Sequence, residues 1–270
     1  MSNPLIQVSN LVKHFPVKSG VGGGSGGVVK AVEDVSFDIN PGEVLGLVGE
    51  SGSGKSTTGR LILRLLEPTS GSVTFDGKKV FDLPKNELRE LRKQMQIVFQ
   101  DPYGAFNPRM TVGAIIGEAL ELRNINGSAR SKEVAHWLET VQMPSSVASR
   151  YPHEFSGGQR QRIGIARALA ATPRFIVADE PVSALDVSTQ AEIVNLLLDL
   201  QQRLNLTMLF ISHDLSVVKV LCDRVAVMQH GKLVEIGESQ QIFSAPKMEY
   251  TRELLDAIPI PDPARARRAA

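Results

Sequence analysis

The hydrophobic positions of this chain follow two periods, and segments of each kind alternate along most of the sequence. Val35, Phe37 and Ile39 alternate with polar residues and predict a half-buried strand, and the segment IQVSNLVKHF before them predicts another. Residues 20–27, between these strands, are rich in glycine and predict a flexible hairpin loop. Four short apolar runs farther along predict buried strands. These runs are EVLGLVG, MQIVFQ, RFIVADE and TMLFIS.

Helical periods fill the segments between these strands. STTGRLILRLL follows the first buried strand, and a second helix is predicted from Ser188. Its apolar face is formed by Ile193, Leu196, Leu197, Leu200 and Leu204. Residues 111–141 hold two helical patterns with no strand between them, which predicts an inserted helical lobe. Elsewhere strands and helices alternate, and this alternation predicts a parallel sheet with right-handed crossovers.

Composition narrows the classes of partner. The chain has 270 residues, of which 42% are hydrophobic, so it can bury the core of one α/β domain. Its 30 basic and 29 acidic residues leave a net charge of +1, which gives no field to attract nucleic acid or anionic lipid. We therefore expect no nucleic-acid partner. No apolar stretch approaches the roughly 20 residues of a membrane-spanning helix. If the protein acts at a membrane, we therefore expect it to lie on the membrane surface.

The segment GESGSGKST, which we call the phosphate loop (residues 49–57), carries the clearest chemistry. It follows an apolar strand and opens a helix, the context in which a glycine-rich loop cradles nucleotide phosphates. Lys55 is expected to reach the β- and γ-phosphates, and the Ser56 hydroxyl is expected to bind magnesium. The whole loop is predicted to contact the nucleotide. Its residues are Gly49, Glu50, Ser51, Gly52, Ser53, Gly54, Lys55, Ser56 and Thr57.

Polar residues that end the other predicted strands supply candidate catalytic groups. Asp179 and Glu180 end an apolar strand, where carboxylates are costly unless they are paired or bind a metal. We expect Asp179 to hold magnesium and Glu180 to face the water that attacks the γ-phosphate. His213 is expected to align Glu180 and the γ-phosphate, and Gln100 to contact both magnesium and the attacking water.

A second anion-binding segment lies within EFSGGQRQR. Ser156 is a favourable N-cap, and Gly157 and Gly158 leave backbone N–H groups unshielded at the start of a predicted helix near Gln159. This signature segment (residues 156–159) has no lysine and follows Lys55 by roughly 100 residues, with the predicted helical lobe between them. We therefore expect it to bind a nucleotide that is held by another subunit.

These motifs, in this order and with SALD at residues 183–186, resemble those of the ATP-binding cassette ATPases over nearly the whole chain. The resemblance implies a P-loop NTPase (RecA-like) α/β core with an antiparallel β subdomain and an inserted α-helical subdomain at about residues 101–160. It implies two cassettes packed head to tail around ATP, with Asp186 near the seam. An upstream aromatic residue would stack on adenine, and Phe15 matches it by position, although a phenylalanine in the hairpin core explains it too.

Within that family, segments such as VFQDPYGAFNPRMTV and YTRELLDAIPIPDP resemble ATP-binding subunits of bacterial dipeptide and oligopeptide importers. The resemblance implies a cassette at residues 1–250 and an importer-type extension at 251–270, at the cytoplasmic face of the membrane. It implies two permease subunits, a solute-binding protein and a second ATPase subunit, identical or not. Nickel, glutathione or a modified peptide stays open as the solute, and so does a regulatory cassette.

Two further groups have two interpretations each. Tyr103, Phe106 and Met110 are either a groove for the permease or core packing. The basic end of the chain is expected to be a solvated tail rather than a lipid anchor. It contains Arg265, Arg267 and Arg268.

Overall fold

The computed structural model describes residues 3–16 and 27–257. Most of the predicted glycine-rich loop, residues 20–26, lies outside these ranges. The basic end of the chain and the extension beyond residue 257 also lie outside them. Every structural statement below concerns the described residues.

Two sheets are built from the strands of these ranges. The strands are β1 (Ile6–Pro16), β2 (Val28–Ile39), β3 (Val44–Val48), β4 (Ser70–Phe75), β5 (Lys78–Lys79), β6 (Met95–Val98), β7 (Phe175–Asp179), β8 (Thr207–Ile211), β9 (Arg224–Gln229) and β10 (Lys232–Glu238). The larger sheet has the order β10-β9-β3-β8-β7-β6, and the smaller sheet has the order β2-β1-β4-β5. The predicted strands are therefore present, and the chain has the expected P-loop NTPase architecture.

The two sheets differ in strand direction because their connections differ. In the larger sheet, β6, β7, β8, β3 and β9 run parallel, and only β10 pairs antiparallel, at the edge next to β9. Strands β3, β7 and β8 are buried at every position, as expected for parallel strands covered by helices on both faces. In the smaller sheet β1 pairs antiparallel with both β2 and β4.

Helices cover the larger sheet and form the predicted lobe. They are α1 (Lys55–Ile62), α2 (Lys85–Gln94), α3 (Pro102–Ala105), α4 (Val112–Glu121), α5 (Gly127–Thr140), α6 (Gly157–Ala170), α7 (Val187–Leu204), α8 (Leu215–Leu221), α9 (Ser239–Ser244) and α10 (Glu249–Asp256). Helices α4, α5 and α6 pack against one another, and α6 also contacts α7 and β6. The lobe between β6 and β7 is thus joined to the core through α6, the helix that the signature segment opens.

Two hydrophobic clusters hold these layers together. The larger cluster joins the helical lobe to one face of the large sheet and includes Trp137 and Phe210, whereas the smaller cluster lies between the two sheets and includes Phe37 and Phe175. On α7, four of the five predicted apolar positions are buried, but Leu204 is 41% exposed because it is the last residue of the helix.

Tyr103, Phe106 and Met110, which the sequence assigns either to a permease groove or to the core, lie in different environments. Phe106 is 5% exposed and belongs to the larger core cluster, and Met110 packs against that cluster, so core packing accounts for both. Tyr103 is 42% exposed, and the Arg160 guanidinium lies over its ring at 4.8 Å. Of the three, only Tyr103 presents a large exposed surface. Within residues 3–16 and 27–257, no helix combines the length and apolar character needed to cross a membrane.

Candidate active site

Strand register brings the candidate catalytic residues to one edge of the large sheet. Leu47 of β3 and Asp179 of β7 both lie opposite Ile211, the last residue of β8. The three parallel strands therefore end level with one another, and the residues that follow them meet at their carboxyl ends. This edge is where open α/β sheets bind ligands.

The phosphate loop connects β3 to α1 through backbone that favours glycine. Gly49, Gly52 and Gly54 all have positive φ values, of 145°, 80° and 104°. A Cβ atom on Gly49 would overlap the carbonyl oxygen of Met228, and a Cβ atom on Gly54 would overlap that of Ala31. Larger residues at these two positions would therefore force the loop away from β9 or β2.

Lys55 is buried beneath this loop. Its side chain is 4% exposed, and its ammonium donates to the carbonyl oxygens of Gly49 at 2.7 Å and Glu50 at 2.8 Å. Burial lowers the pKa of Lys55, while the nearby carboxylates of Glu180 and Asp179 oppose that shift. These contacts hold the cationic group against the inner side of the loop.

Asp179 and Ser56 form a contact between the sheet edge and the first turn of α1. The Ser56 hydroxyl donates to Asp179 Oδ1 at 2.6 Å, and the Arg60 guanidinium lies 3.7 Å from Asp179 Oδ2. Asp179 is only 5% exposed. The buried carboxylate is thus satisfied by a hydroxyl and a cation, as a carboxylate in the interior must be.

Glu180 and His213 lie beside each other at the ends of β7 and β8. The His213 Nδ1 atom is 3.2 Å from Glu180 Oε2. Glu180 has a φ of 49°, a left-handed conformation that costs of the order of 1–3 kcal/mol in a residue other than glycine. Its backbone N–H donates to Ile211 O at 3.0 Å, so β8 holds Glu180 in this strained turn.

A cavity of about 680 Å³ lies at this edge of the sheet; Glu180 and Ser56 line it, whereas Asp179 and His213 are not among the described residues that do. Residues of the phosphate loop and α1 form much of its wall. They are Ser51, Gly52, Gly54, Lys55, Ser56 and Thr57. Gln100 and Glu180 also line it. The Gln161 side chain of α6 donates to Phe99 O at 3.3 Å and so ties the backbone before Gln100 to the signature helix.

Other cavity residues were missed by sequence reasoning. The missed group comprises Val28, Val29, Lys30, Ala31 and His230. His230 and Gly231 form the turn between β9 and β10, and Gly231 N–H donates to Ser53 O at 3.0 Å. The dipeptide His-Gly is recognisable as a turn, but nothing local in the sequence indicates that this turn contacts the phosphate loop.

Phe15 is not among the described residues that line the cavity. It pairs across the sheet with Val29, which does line it, and the Lys13 ammonium lies 4.9 Å from the centre of the Phe15 ring. Its strand position is therefore next to the cavity wall. Stacking of Phe15 on adenine stays a prediction.

The signature segment forms a capping box at the start of α6. The Ser156 hydroxyl accepts from Gln159 N–H at 3.3 Å, and the Gln159 side chain accepts from Ser156 N–H at 3.1 Å. Ser156, Gly157 and Gln159 are exposed, so this positive end of the helix faces solvent. The described residues that line the 680 Å³ cavity do not include residues 156–159.

Asp186 caps α7 beside the signature segment. Its carboxylate accepts from Thr189 N–H at 2.9 Å, from the Thr189 hydroxyl at 2.8 Å and from the Ser188 hydroxyl at 2.6 Å. These hydrogen bonds, led by the one from Ser188, hold the pKa of Asp186 well below its usual range. A Cβ atom on Gly158 would overlap the Thr189 methyl group, so the signature segment and the Asp186 cap are in direct contact.

The oxygen groups at the sheet edge fit a magnesium ion. Mg²⁺ prefers oxygen ligands and is held in many nucleotide sites by one or two protein groups together with substrate phosphates. Ser56 and Asp179 supply a hydroxyl and a carboxylate that are already 2.6 Å apart, and Gln100 lines the same cavity. Across residues 3–16 and 27–257, no cluster of three or more His, Cys, Asp or Glu could hold a metal by itself.

Two protein-family models match the chain. One, described as ABC transporter, matches residues 32–183, which include the phosphate loop, the signature segment and both acids at the end of β7. The other, described as the C-terminal region of oligopeptide and dipeptide transporters, matches residues 234–270. The two matches cover separate parts of the chain and do not overlap.

Individual relatives agree with these matches. A Brucella ovis protein named as a peptide import ATP-binding protein is 55% identical to this chain, over 98% of this chain and 82% of its own length. The oligopeptide transport ATP-binding protein OppF of Bacillus subtilis is 53% identical over 97% of this chain and 85% of its own length. The dimeric ATP-binding cassette MJ0796, solved with ADP and Pi, has a TM-score of 0.76 and 31% identity over 87% of this chain and 98% of its own.

Proposed function

We propose that this chain, which belongs to the ABC transporter family and is an ATPase, powers the import of dipeptides or oligopeptides through a membrane permease. The observation that carries the peptide assignment is the match of residues 234–270 to the C-terminal region of peptide transporters. The names of the Brucella and Bacillus relatives support it. The division into a cassette at 1–250 and an extension at 251–270 stays a prediction, and α10 (Glu249–Asp256) crosses that boundary.

ATP is held through its phosphates in this account. The N–H groups of the phosphate loop and the positive end of α1 face the phosphates, and Lys55 neutralises their charge. Burial of Lys55 beneath the loop supports this role, because a buried cation needs an anionic partner. The adenine base contacts either Phe15 or the residues of β2 that line the cavity, which are Val28, Val29, Lys30 and Ala31.

Glu180 acts on the attacking water. Its carboxylate accepts a proton from the water as that water approaches the γ-phosphate, and His213 orients the carboxylate through the 3.2 Å contact. Gln100, which follows the neighbouring parallel strand β6 at the same edge of the sheet, orients the same water. Ser56, Asp179 and Gln100 would hold Mg²⁺, which when bound neutralises the negative charge that develops on the phosphates.

The active site is completed by a second cassette subunit, either another copy or a sister protein. Ser156, Gly157, Gly158 and Gln159 are expected to bind the γ-phosphate of the nucleotide that the partner holds. The exposed position of the signature segment, outside the cavity of its own chain, supports this arrangement. Val187, which follows Asp186 and is 84% exposed, adds an apolar side chain beside the proposed seam.

Replacing Gly158 with Ala tests the signature segment. The added methyl group would displace Thr189 and strain its hydrogen bonds to Asp186, so we expect ATP turnover to fall roughly 10- to 100-fold. Binding of a fluorescent ATP analogue to the single chain should be unchanged, because the phosphate loop is untouched. In the matched Gly157→Ala chain the new Cβ meets only Leu185 Cδ2, at 3.2 Å, so its turnover should fall less. An equal loss of turnover in both variants would show that the contact between Gly158 and Thr189 does not determine turnover.

The remaining partners belong to the assembled transporter. We propose two permease subunits and an external solute-binding protein, with this chain peripheral on the cytoplasmic face of the membrane. We assign Tyr103, an exposed aromatic residue, to the permease contact. ATP binding closes the pair of cassettes, and hydrolysis opens it, and these motions drive the permease between its two orientations.

Solute stimulation of the assembled transporter tests the peptide assignment. The chain is purified with the permease that accompanies it from membranes, reconstituted in vesicles with the solute-binding protein, and assayed for ATP turnover. Dipeptides or longer peptides should raise turnover, and nickel should not. Stimulation by nickel alone, or by no peptide of any length, would reject peptide import while leaving the ATPase activity in place.

A further inference from the structure

The C-terminal helix contacts the phosphate loop. Tyr250 is the second residue of α10, and its hydroxyl oxygen accepts a hydrogen bond from the Glu50 N–H at 3.3 Å. The two residues are 200 positions apart in the sequence. The segment that distinguishes peptide transporters therefore reaches the loop that is proposed to hold ATP.

This hydrogen bond completes the bonding of one peptide group in the loop. The Glu50 N–H belongs to the peptide whose carbonyl is that of Gly49, and this carbonyl accepts from Lys55 at 2.7 Å. Tyr250 thus binds one end of the peptide, and Lys55 binds the other. Gly49, which contributes the carbonyl of this peptide, has a φ of 145°, a conformation that only glycine adopts without strain. Because glycine restricts its own backbone little, the orientation of this peptide depends on its hydrogen bonds.

Helix α10 is fixed to the cassette independently of this contact. The buried carboxylate of Glu235, on β10, accepts from the backbone N–H groups of Lys247 at 2.9 Å and Met248 at 3.1 Å, at the start of α10. The Tyr250 ring and the side chains of Leu254 and Leu255 pack against the larger core cluster. The hydroxyl of Tyr250 is therefore presented to the loop by a docked helix and not by a free tail.

We propose that Tyr250 is a positioning residue that holds the phosphate loop ready for ATP. Its hydroxyl fixes the Gly49–Glu50 peptide, and that peptide in turn fixes the Lys55 ammonium. Such preorganisation favours binding of the substrate and of the transition state equally, so it acts on affinity and leaves the chemical step unchanged. The inference rests on the phosphate-binding role proposed for residues 49–57.

The Tyr250→Phe substitution tests this role, because it removes the hydroxyl and keeps the ring packing. The KM for ATP and the Kd of a fluorescent ATP analogue should both rise about 3- to 10-fold, the effect of losing one hydrogen bond, with kcat unchanged. Amide hydrogen exchange around Glu50 should become faster in the variant without nucleotide, while exchange in β7 and β8 stays the same. The matched control is Tyr151→Phe, an exposed tyrosine that stacks on His153 and is not among the described residues that line the 680 Å³ cavity. It should change none of these quantities.

The outcomes separate this inference from the site assignment. An unchanged KM and unchanged exchange at Glu50 in Tyr250→Phe, or an equal change in Tyr151→Phe, would overturn the positioning role. Lys55→Ala is assayed in parallel. If Lys55→Ala loses analogue binding and Tyr250→Phe does not weaken it, only the inference fails. If Lys55→Ala binds the analogue normally, the proposed phosphate site itself fails.

Discussion

Replacing Glu180 with Gln should lower ATP turnover by about 100- to 10,000-fold, the range expected when a general base is lost. Gln has nearly the same size and can keep the contact with His213, so the strained turn at residue 180 should survive. The substitution also removes a negative charge near Lys55 and the phosphates, and ATP binding should therefore be kept or become tighter. Steady-state turnover and titration with a fluorescent ATP analogue measure the two effects separately.

The matched control for this variant is Glu139→Gln. Glu139 is an exposed residue of α5 in the helical lobe, so its substitution makes the same chemical change away from the sheet edge. It should hydrolyse ATP at the rate of the unchanged chain. Normal turnover by Glu180→Gln would remove Glu180 from its assigned role, whereas loss of both turnover and analogue binding would indicate damage to the nucleotide cavity.

Replacing Lys55 with Ala should weaken binding of ATP by 100-fold or more, on the order of two lost charge-assisted hydrogen bonds. The removed ammonium is buried under the loop and donates to Gly49 and Glu50, so the variant loses both the charge that faces the phosphates and the internal support of the loop. Turnover should fall with binding. Isothermal titration with ATP, followed by thermal unfolding without nucleotide, separates lost affinity from lost stability.

Lys85→Ala is the control for the lysine substitution. Lys85 is exposed at the start of α2 and takes no part in the cavity wall, so its removal changes the net charge equally. Affinity for ATP should stay within about twofold of the unchanged chain, because an exposed charge at a distance is screened by salt. If Lys85→Ala weakened ATP binding as much as Lys55→Ala, net charge and not the buried ammonium would explain the loss.

Local sequence patterns predict those parts of the fold and site that depend on neighbours in the chain. The phosphate loop follows β3 and opens α1, and Ser156 caps α6 with Gln159, as the residue types and spacing indicate. The predicted parallel arrangement of the strands also places residues that follow them at one edge of the sheet. In the structure β3, β7 and β8 end level, so Asp179, Glu180 and His213 lie at that edge. The predicted α/β architecture with an inserted helical lobe is confirmed.

Other parts depend on contacts between distant segments, which a single sequence does not encode locally. The His230 turn reaches the phosphate loop, and Tyr250 binds Glu50 across 200 positions. An apolar residue such as Phe106 can lie either in a core or on a docking surface, and the sequence does not distinguish the two. Its burial in the larger hydrophobic cluster shows that it is a core residue. Leu204 fits the helical period of α7 but lies at its last position, where the core no longer covers it.

The central claim is that each nucleotide is bound by the phosphate loop of one subunit and the signature segment of another. It is tested most directly by mixing Lys55→Ala chains with Gly158→Ala chains, in an assembly whose two cassettes are both copies of this chain and which hydrolyses ATP when both copies are unchanged. A mixed pair then contains one intact site, formed by Lys55 of one chain and Gly158 of the other. With equal amounts of the two chains and random pairing, half of the pairs are mixed and each has one of its two sites intact. The account therefore predicts about a quarter of normal turnover when the two sites act independently. No gain over the separate variants would contradict it.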